Sequence, residues 1–342
     1  MKILSFRGSK ALFVYCWRFL QTLTISRLLN HLKLQGSYFF STLMKRPYHW
    51  GNPVAVSFEP TTACNLRCPE CPSGTRILNR TPGNASLEDF KIILKQLPRE
   101  TTWLTLYFQG EPFINKYFFE MIGLAKRRRM MVASSTNGHF LDAENAQKTI
   151  ASGLDMLIIS LDGTDAVTYQ QYRKGGDFDL VLTGIKTLAK LKRQLKRNSP
   201  LVVLQFLVFK HNEHQINDME KLGKELGADA LELKTAQHYN YEDGNDFMTG
   251  LDKYSRYRKT GSGKYVLKRK MKNRCLRMWN ACVITWDGSV VPCCYDKDAN
   301  HCYGNLLHGN FRDVWNGKEA DDFRQWLWQN RKAIEICSNC HE

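Results

Sequence analysis

No apolar stretch in this chain is long enough to cross a bilayer. Near the N-terminus the runs Ala11 to Trp17 and Phe19 to Ser26 are split by Arg18, whereas a span needs about 20 consecutive apolar residues. No small-residue cleavage site follows them, which excludes an ordinary secretory signal. Acidic residues are missing altogether from Met1 to Phe58, a stretch with eight basic residues. Internal repeats and low-complexity tracts are absent too, so solenoid, collagen-like and disordered classes drop out. The basic regions lack the interleaved aromatics on which RNA bases stack, so nucleic acid is not an expected partner.

What is present fits a folded enzyme. A chain of 342 residues with 43% apolar and 24% charged residues has the length for about two domains and an ordinary globular composition. Eleven cysteines are more than packing asks for, and an odd number cannot pair off completely. With no export signal the expected compartment is the reducing cytoplasm, where thiols persist unless a metal or cluster claims them.

The net charge of +16 is unevenly placed. Residues 1–58 carry +8, residues 252–274 carry +9 against the single Asp252, and the rest is nearly neutral at −1. Leu12, Cys16, Phe19 and Leu20 recur at helical spacing with Arg18 and Arg27 between them, which reads as an amphipathic helix. Such a helix suits peripheral contact with an anionic membrane or a partner, or packing on the protein's own core.

From Pro53 to Lys234 β-rich runs alternate with helix-like segments, the pattern of parallel βα units. Strands are expected at Val54 to Phe58, Trp103 to Phe108, Met130 to Ser135, Met156 to Ser160, Leu201 to Phe209 and Ala230 to Leu233. Helices are expected at Leu87 to Gln96, Lys116 to Arg127, Ala143 to Ala151, Leu180 to Arg193 and Gln215 to Leu226. The fold class is α/β, a partial (βα)6 barrel or open parallel sheet followed by a small cysteine-rich unit. Four segments result: a basic amphipathic segment 1–52, a core 53–237, a basic linker 238–274 and a C-terminal unit 275–342 with a hairpin turn at Trp286-Asp287-Gly288.

Cys64, Cys68 and Cys71 form C-x3-C-x2-C directly after the first strand. Structural zinc favours four protein ligands, and no fourth lies nearby. A 4Fe-4S cluster on three thiolates keeps one iron open for a ligand, which suits this set better. Three further motifs start where strands end, the edge at which parallel α/β folds bind ligands. They are Gln109-Gly110-Glu111-Pro112, Ser135-Thr136-Asn137-Gly138 and Ser160-Leu161-Asp162-Gly163. Glu111 offers a carboxylate to an ammonium group, Ser160 and Asp162 suit ribose hydroxyls, and Arg173 presents a fork for a carboxylate. Thr136 and Asn137 line the same edge.

The C-x3-C-x2-C run and these motifs, in this order over Pro53 to Lys234, resemble the radical S-adenosylmethionine (radical SAM) superfamily. The resemblance implies that Cys64, Cys68 and Cys71 hold a 4Fe-4S cluster whose fourth iron is chelated by SAM. One electron from a donor such as flavodoxin or ferredoxin then splits the sulfonium, and a 5′-deoxyadenosyl radical takes hydrogen from the substrate. It also implies that Gln109, Gly110 and Glu111 meet the SAM amino group, that Ser160, Asp162 and Arg173 lie near its carboxylate and ribose, and that Leu207 approaches adenine. Glu70 stands where many members have an aromatic residue before the third cysteine.

The C-terminal unit offers Cys275, Cys282, Cys293, Cys294, Cys302, Cys337 and Cys340. Cys337 and Cys340 form a C-x2-C knuckle, and with Cys275 and Cys293 they close a set of four, which zinc would also accept. The run resembles the SPASM and twitch auxiliary domains of radical SAM enzymes, and its spacing favours the one-cluster twitch form. That implies a second 4Fe-4S cluster on Cys275, Cys293, Cys337 and Cys340, with the choice between Cys293 and Cys294 open. A fully ligated cluster is suited to electron transfer, hence to net oxidation of the substrate. The expected substrate is polar and anionic, drawn by the 252–274 charge. It is a small metabolite such as a sugar or aminocyclitol, or a peptide to be oxidised, crosslinked or epimerised. Only 52 residues precede the core, fewer than the leader-binding module of many peptide-modifying members, which favours the small molecule. RNA modification and a non-catalytic cluster-binding scaffold rank below both.

Overall fold

A computed structural model describes residues 9–340, with side chains from Phe13 onward. Lys2, Arg7, the side chains of Lys10 and Leu12, and the last two residues of the 275–342 unit lie outside the described residues. Two helices open the chain, α1 (Ser9–Thr22) and α2 (Ile25–Met44). Six parallel strands follow: β1 (Ala55–Phe58), β2 (Trp103–Thr105), β3 (Met131–Thr136), β4 (Met156–Ser160), β5 (Leu201–Val208) and β6 (Ala230–Thr235). They pair in sequence order, each joined to the next through at least one helix. The linker folds into the hairpin β7 (Tyr257–Lys259) and β8 (Tyr265–Leu267). Three strands end the series: β9 (Ala281–Ile284), β10 (Ser289–Val291) and β11 (Gly304–Asn305).

The C-terminal strands continue the barrel sheet instead of forming one of their own. β9 pairs in parallel with β1, Ala55 opposite Ala281 and Phe58 opposite Ile284, giving the order β11-β10-β9-β1-β2-β3-β4-β5-β6. The hydrophobic core is correspondingly shared. Val56, Phe58 and Phe90 of the barrel belong to one buried cluster with Trp279, Ile284 and Trp315.

Strand alternation sorts the barrel residues. Leu157, Ile159, Val202 and Leu204 face the helices, while Met156, Ile158, Leu201 and Val203 line the inner face with Trp103 and Tyr107. Tyr15 of α1 packs on that inner face as well, 6.0 Å from Trp103, so α1 closes the edge where the strands begin. Asp155, just before β4, ties this edge together by accepting from Lys126 Nζ at 2.5 Å, the Val132 amide at 2.8 Å and Arg18 of α1 at 3.0 Å. Local signals set the crossover helices. The helix Leu87–Gln96, for example, starts at Ser86, whose hydroxyl accepts from the Asp89 amide, and buries Phe90, Ile93 and Leu94.

The two N-terminal arginines Arg18 and Arg27 pack on the protein's own body. Arg27 is 6% exposed and donates to the carbonyls of Thr22 at 2.6 Å, Arg129 at 2.9 Å, and Arg99 and Thr101 at 3.1 Å. Arg18 binds Asp155, so both interleaved arginines serve the protein's own body, while Cys16, Phe19 and Leu20 beside them stay exposed. Among the described residues no helix is long and apolar enough to cross a membrane.

Candidate active site

The edge where β1 to β6 end gathers the predicted residues. The cysteine loop and the Gln109 to Pro112 turn interlock: the Glu111 amide donates to the Ala63 carbonyl at 2.7 Å. Gly110 has φ +72, and a Cβ there would stand 2.4 Å from the Thr61 carbonyl oxygen, so only glycine fits. The Glu111 side chain, 2% exposed, accepts from the Thr136 hydroxyl and the Asn137 amide, both at 2.7 Å. Burial nevertheless pushes its carboxyl up to about 7, the Asn137 and Thr136 donors opposing.

Asn137 also reaches the cysteine loop, donating to Asn65 Oδ1 at 2.7 Å and standing 3.9 Å from Cys64 Sγ. Asp162 is fully buried, and both its oxygens are engaged: Oδ2 accepts from Arg173 Nε at 2.6 Å and Oδ1 from the Leu207 amide at 2.7 Å. Arg173 NH1 lies 3.9 Å from Cys68 Sγ. Ser160 ends β4, buried beside them. The Gln109 side chain accepts from the Ser73 hydroxyl at 3.3 Å. The structure therefore brings the three loop cysteines, Gln109 to Glu111, Thr136, Asn137, Ser160, Asp162, Arg173 and Leu207 to one edge.

The thiols meet donors, the environment in which cluster sulfur is stabilised. The Leu66 amide points at Cys64 Sγ at 3.5 Å, and Leu66, Tyr172 and Phe209 bury the loop with Cys68. Burial pushes the Cys64 thiol up to about 11, so proton loss needs a metal's assistance. Among the described residues no three His, Cys, Asp or Glu side chains converge tightly enough for one metal ion.

A second set, Cys275, Cys293, Cys337 and Cys340, lines one small pocket together with Tyr295 and Arg331, among others. Arg331 donates to Cys340 Sγ at 3.2 Å. Burial holds the Cys275 and Cys293 thiols above their ordinary range. Cys294 points elsewhere: it is exposed and 3.6 Å from Arg277 NH1. Cys282 is buried within β9, and Cys302 is exposed with its thiol donating to the Gly304 carbonyl.

Several residues at this edge escape the sequence reading. Glu59, directly after β1, is fully buried and accepts from Arg80 NH1 at 2.7 Å, while Arg80 Nε donates to the Lys297 carbonyl at 2.6 Å. Position after a strand was its only signal. Glu70 accepts from Asn245 at 2.9 Å and faces His238 Nδ1 at 3.4 Å, so the residue that departs from the family pattern ties the cysteine loop to the linker. Arg256 donates to Thr235 Oγ1 at 3.0 Å and Tyr295 OH at 3.2 Å. Lys297 donates to Tyr239 OH, and burial lowers its pKa against the opposing charges of Cys71 and Cys294. Lys268, by contrast, pairs with Asp252 at 2.7 Å.

A parallel βα barrel with three thiols at its ligand edge and a second cysteine set on an added hairpin defines an iron-sulfur enzyme of the SAM-cleaving kind. Family models agree: residues 58–222 match the radical SAM superfamily and residues 275–341 the SPASM iron-sulfur cluster-binding domain. The chain is a radical SAM superfamily enzyme with a C-terminal SPASM domain, and SAM, a 4Fe-4S cluster and a SPASM auxiliary iron-sulfur cluster are its cofactors. Among its relatives are the AdoMet-dependent heme synthase of Nitratidesulfovibrio vulgaris, 24% identical over 85% of this chain and 88% of the relative, and the mycofactocin maturase MftC of Mycobacterium ulcerans, 27% identical over 84% and 80%. The fold resembles that of BtrN in complex with AdoMet and 2-DOIA, with TM-score 0.53, 19% identity, and coverage of 85% of this chain and 93% of that one.

Proposed function

We propose that this enzyme oxidises a small, polar, anionic metabolite, removing a hydrogen atom, a proton and an electron. The observation that carries the reading is the pair of cations Arg256 and Lys297, set among Tyr239, Tyr295 and Thr235: Lys297 feels the charge of Cys71, and Arg256 bonds Tyr295, which lines the second cysteine pocket. A phosphate or carboxylate held there would place its carbon skeleton between the two cysteine sets. Arg256 belongs to the basic 252–274 segment expected to draw the substrate, and Lys297 joins it from the C-terminal unit.

In this proposal Cys64, Cys68 and Cys71 hold the SAM-binding cluster, Glu111 receives the SAM ammonium, and Arg173, aimed by Asp162, faces the SAM carboxylate. Thr136 and Asn137 fix the Glu111 carboxylate, Gln109 and Gly110 shape the turn that presents it, and Ser160 and Leu207 border the nucleoside. Cys275, Cys293, Cys337 and Cys340 hold one auxiliary 4Fe-4S cluster, and the placement of Cys282, Cys294 and Cys302 supports a single cluster there. When bound, the first cluster and SAM supply one-electron cleavage of the sulfonium and hydrogen abstraction. The chain's residues orient that chemistry, the second cysteine set gives the leaving electron a destination, and a flavodoxin or ferredoxin type of carrier is the one-electron donor.

A peptide substrate is the second reading, favoured by the maturase relatives. Anaerobically reconstituted protein should hold about eight irons, four per cubane, and form 5′-deoxyadenosine under reduction. Sugar phosphates and carboxylated cyclitols should accelerate that formation, and Arg256→Gln and Lys297→Gln should abolish the acceleration while sparing uncoupled cleavage. Acceleration by neutral peptides and not by anionic metabolites would reverse the order of the two readings.

A further inference from the structure

The amphipathicity of α2 is inside out. Its buried face is largely polar: Arg27, Asn30, Ser37 and Ser41, with Leu34 the one apolar residue among them. Arg27 caps the carbonyls described above, Asn30 bonds both ways with Asn52, and Ser41 bonds with Tyr48. The outward face holds Ile25, Leu28, Leu29, Leu32, Phe39 and Leu43, which are between 53% and 80% exposed. A surface helix in water carries the opposite pattern. Helix α1 has an apolar row of its own, with Phe13, Trp17 and Leu20 at i, i+4 and i+7, each more than half exposed. An exposed apolar face running the length of α2 marks a contact that the isolated chain does not make.

We propose that α1 and α2 lie along an anionic lipid surface, with this stripe sunk to the headgroup and acyl boundary and the enzyme body resting on the bilayer. Charge decides between lipid and other occupants. Exposed Lys33, Lys45 and Arg46 accompany the stripe on α2 and just after it, and no acid occurs before Glu59. A second copy of this chain would bring the same uniform positive charge face to face, whereas anionic headgroups supply its counterpart. The helices rest on the surface without crossing it, since neither is long and apolar enough to span. The docking face lies on the side where α1 closes the starts of the strands, away from the cysteine edge, so the catalytic mouth stays open to solutes while the protein is bound.

Reconstituted full-length protein should co-sediment with phosphatidylcholine vesicles containing phosphatidylglycerol, weakly or not at all with phosphatidylcholine alone, and less as salt rises. Leu28→Gln with Leu32→Gln, which leaves the buried face of α2 intact, should weaken vesicle partitioning by at least about tenfold with SAM cleavage unchanged. Lys33→Gln with Lys45→Gln and Arg46→Gln should flatten the salt dependence. Light scattering on the vesicle-free protein covers the competing occupant. A dimer that the leucine substitutions dissociate, with no binding to anionic vesicles, would assign the stripe to a second copy and overturn the proposal, as would vesicle binding indifferent to those substitutions.

Discussion

A carboxyl group buried as deeply as that of Glu111 is poised by its surroundings. Burial pushes it up to about 7, against the donors Asn137 and Thr136. If it receives the SAM ammonium, only its ionised form does so, and affinity falls as pH drops through that value. The limiting slope is about tenfold per pH unit. The SAM amino group loses its proton near pH 8, so the dissociation constant should be lowest between about 7 and 8. Measured by equilibrium binding with iron content checked at each pH, wild type should show the acid limb and Glu111→Gln should bind weakly without it. An acid limb surviving in Glu111→Gln would move the ammonium elsewhere. The adjacent thiols Cys293 and Cys294 give a sharper contrast. Cys293 lines the second cysteine space and Cys294 stands outside it by Arg277. Cys294→Ser should therefore keep about eight irons and Cys293→Ser about four, counted after anaerobic reconstitution. The reverse result would exchange the two residues.

At the scale of elements, legibility followed how completely local signals matched their surroundings. β4 is Met156–Ser160 as the sequence implies, a fully buried run between turn residues, and the helices Leu87–Gln96 and Ala143–Ala151 keep their expected ends because Ser86 and Asp142 cap them. β2 stops at Thr105, three residues short, as the chain curls toward Gly110 and its contact with the cysteine loop. The helix Ala166–Tyr172 was hidden in a stretch that reads as a loop, although Asp165 caps it. Helix α2 was illegible for the opposite reason. Its periodicity is strong, but its polar residues fall on the face a core should claim, so the apolar positions advertise no packing partner. At the candidate site the sequence yields the residues on motif turns and misses those whose role depends on a distant partner. Nothing local marks Arg331 beside Cys340, or Arg256 between Thr235 and Tyr295.

For the whole molecule the decisive fact is the parallel pairing of β9 with β1. Cysteine spacing and the break in βα rhythm describe two modules joined by a linker, but the sheet and the core run through both. The Val54 and Glu59 amides donate to the Asn280 and Ile284 carbonyls, each at 2.9 Å. His49 stacks edge-on with Trp315, and the Trp279 indole donates to the Tyr48 carbonyl at 2.8 Å. A buried aromatic ring removes roughly 150–250 Å² from water, about 4–6 kcal/mol at the usual coefficient. The loss of Trp279 and Trp315 from the shared core is thus comparable with the entire stability of a typical domain, about 5–15 kcal/mol. A chain ending at Arg274 would also bare the β1 edge and strip buried Glu59 of its bond from the Trp286 amide. Such a fragment should aggregate or unfold instead of yielding a one-cluster core that cleaves SAM, and the intact protein should melt in one calorimetric transition. A soluble 1–274 fragment that binds about four irons and forms 5′-deoxyadenosine would show instead that the barrel folds alone. The auxiliary unit would then be an attachment, and the path from substrate to second cluster would cross a hinge where the structure places a continuous sheet.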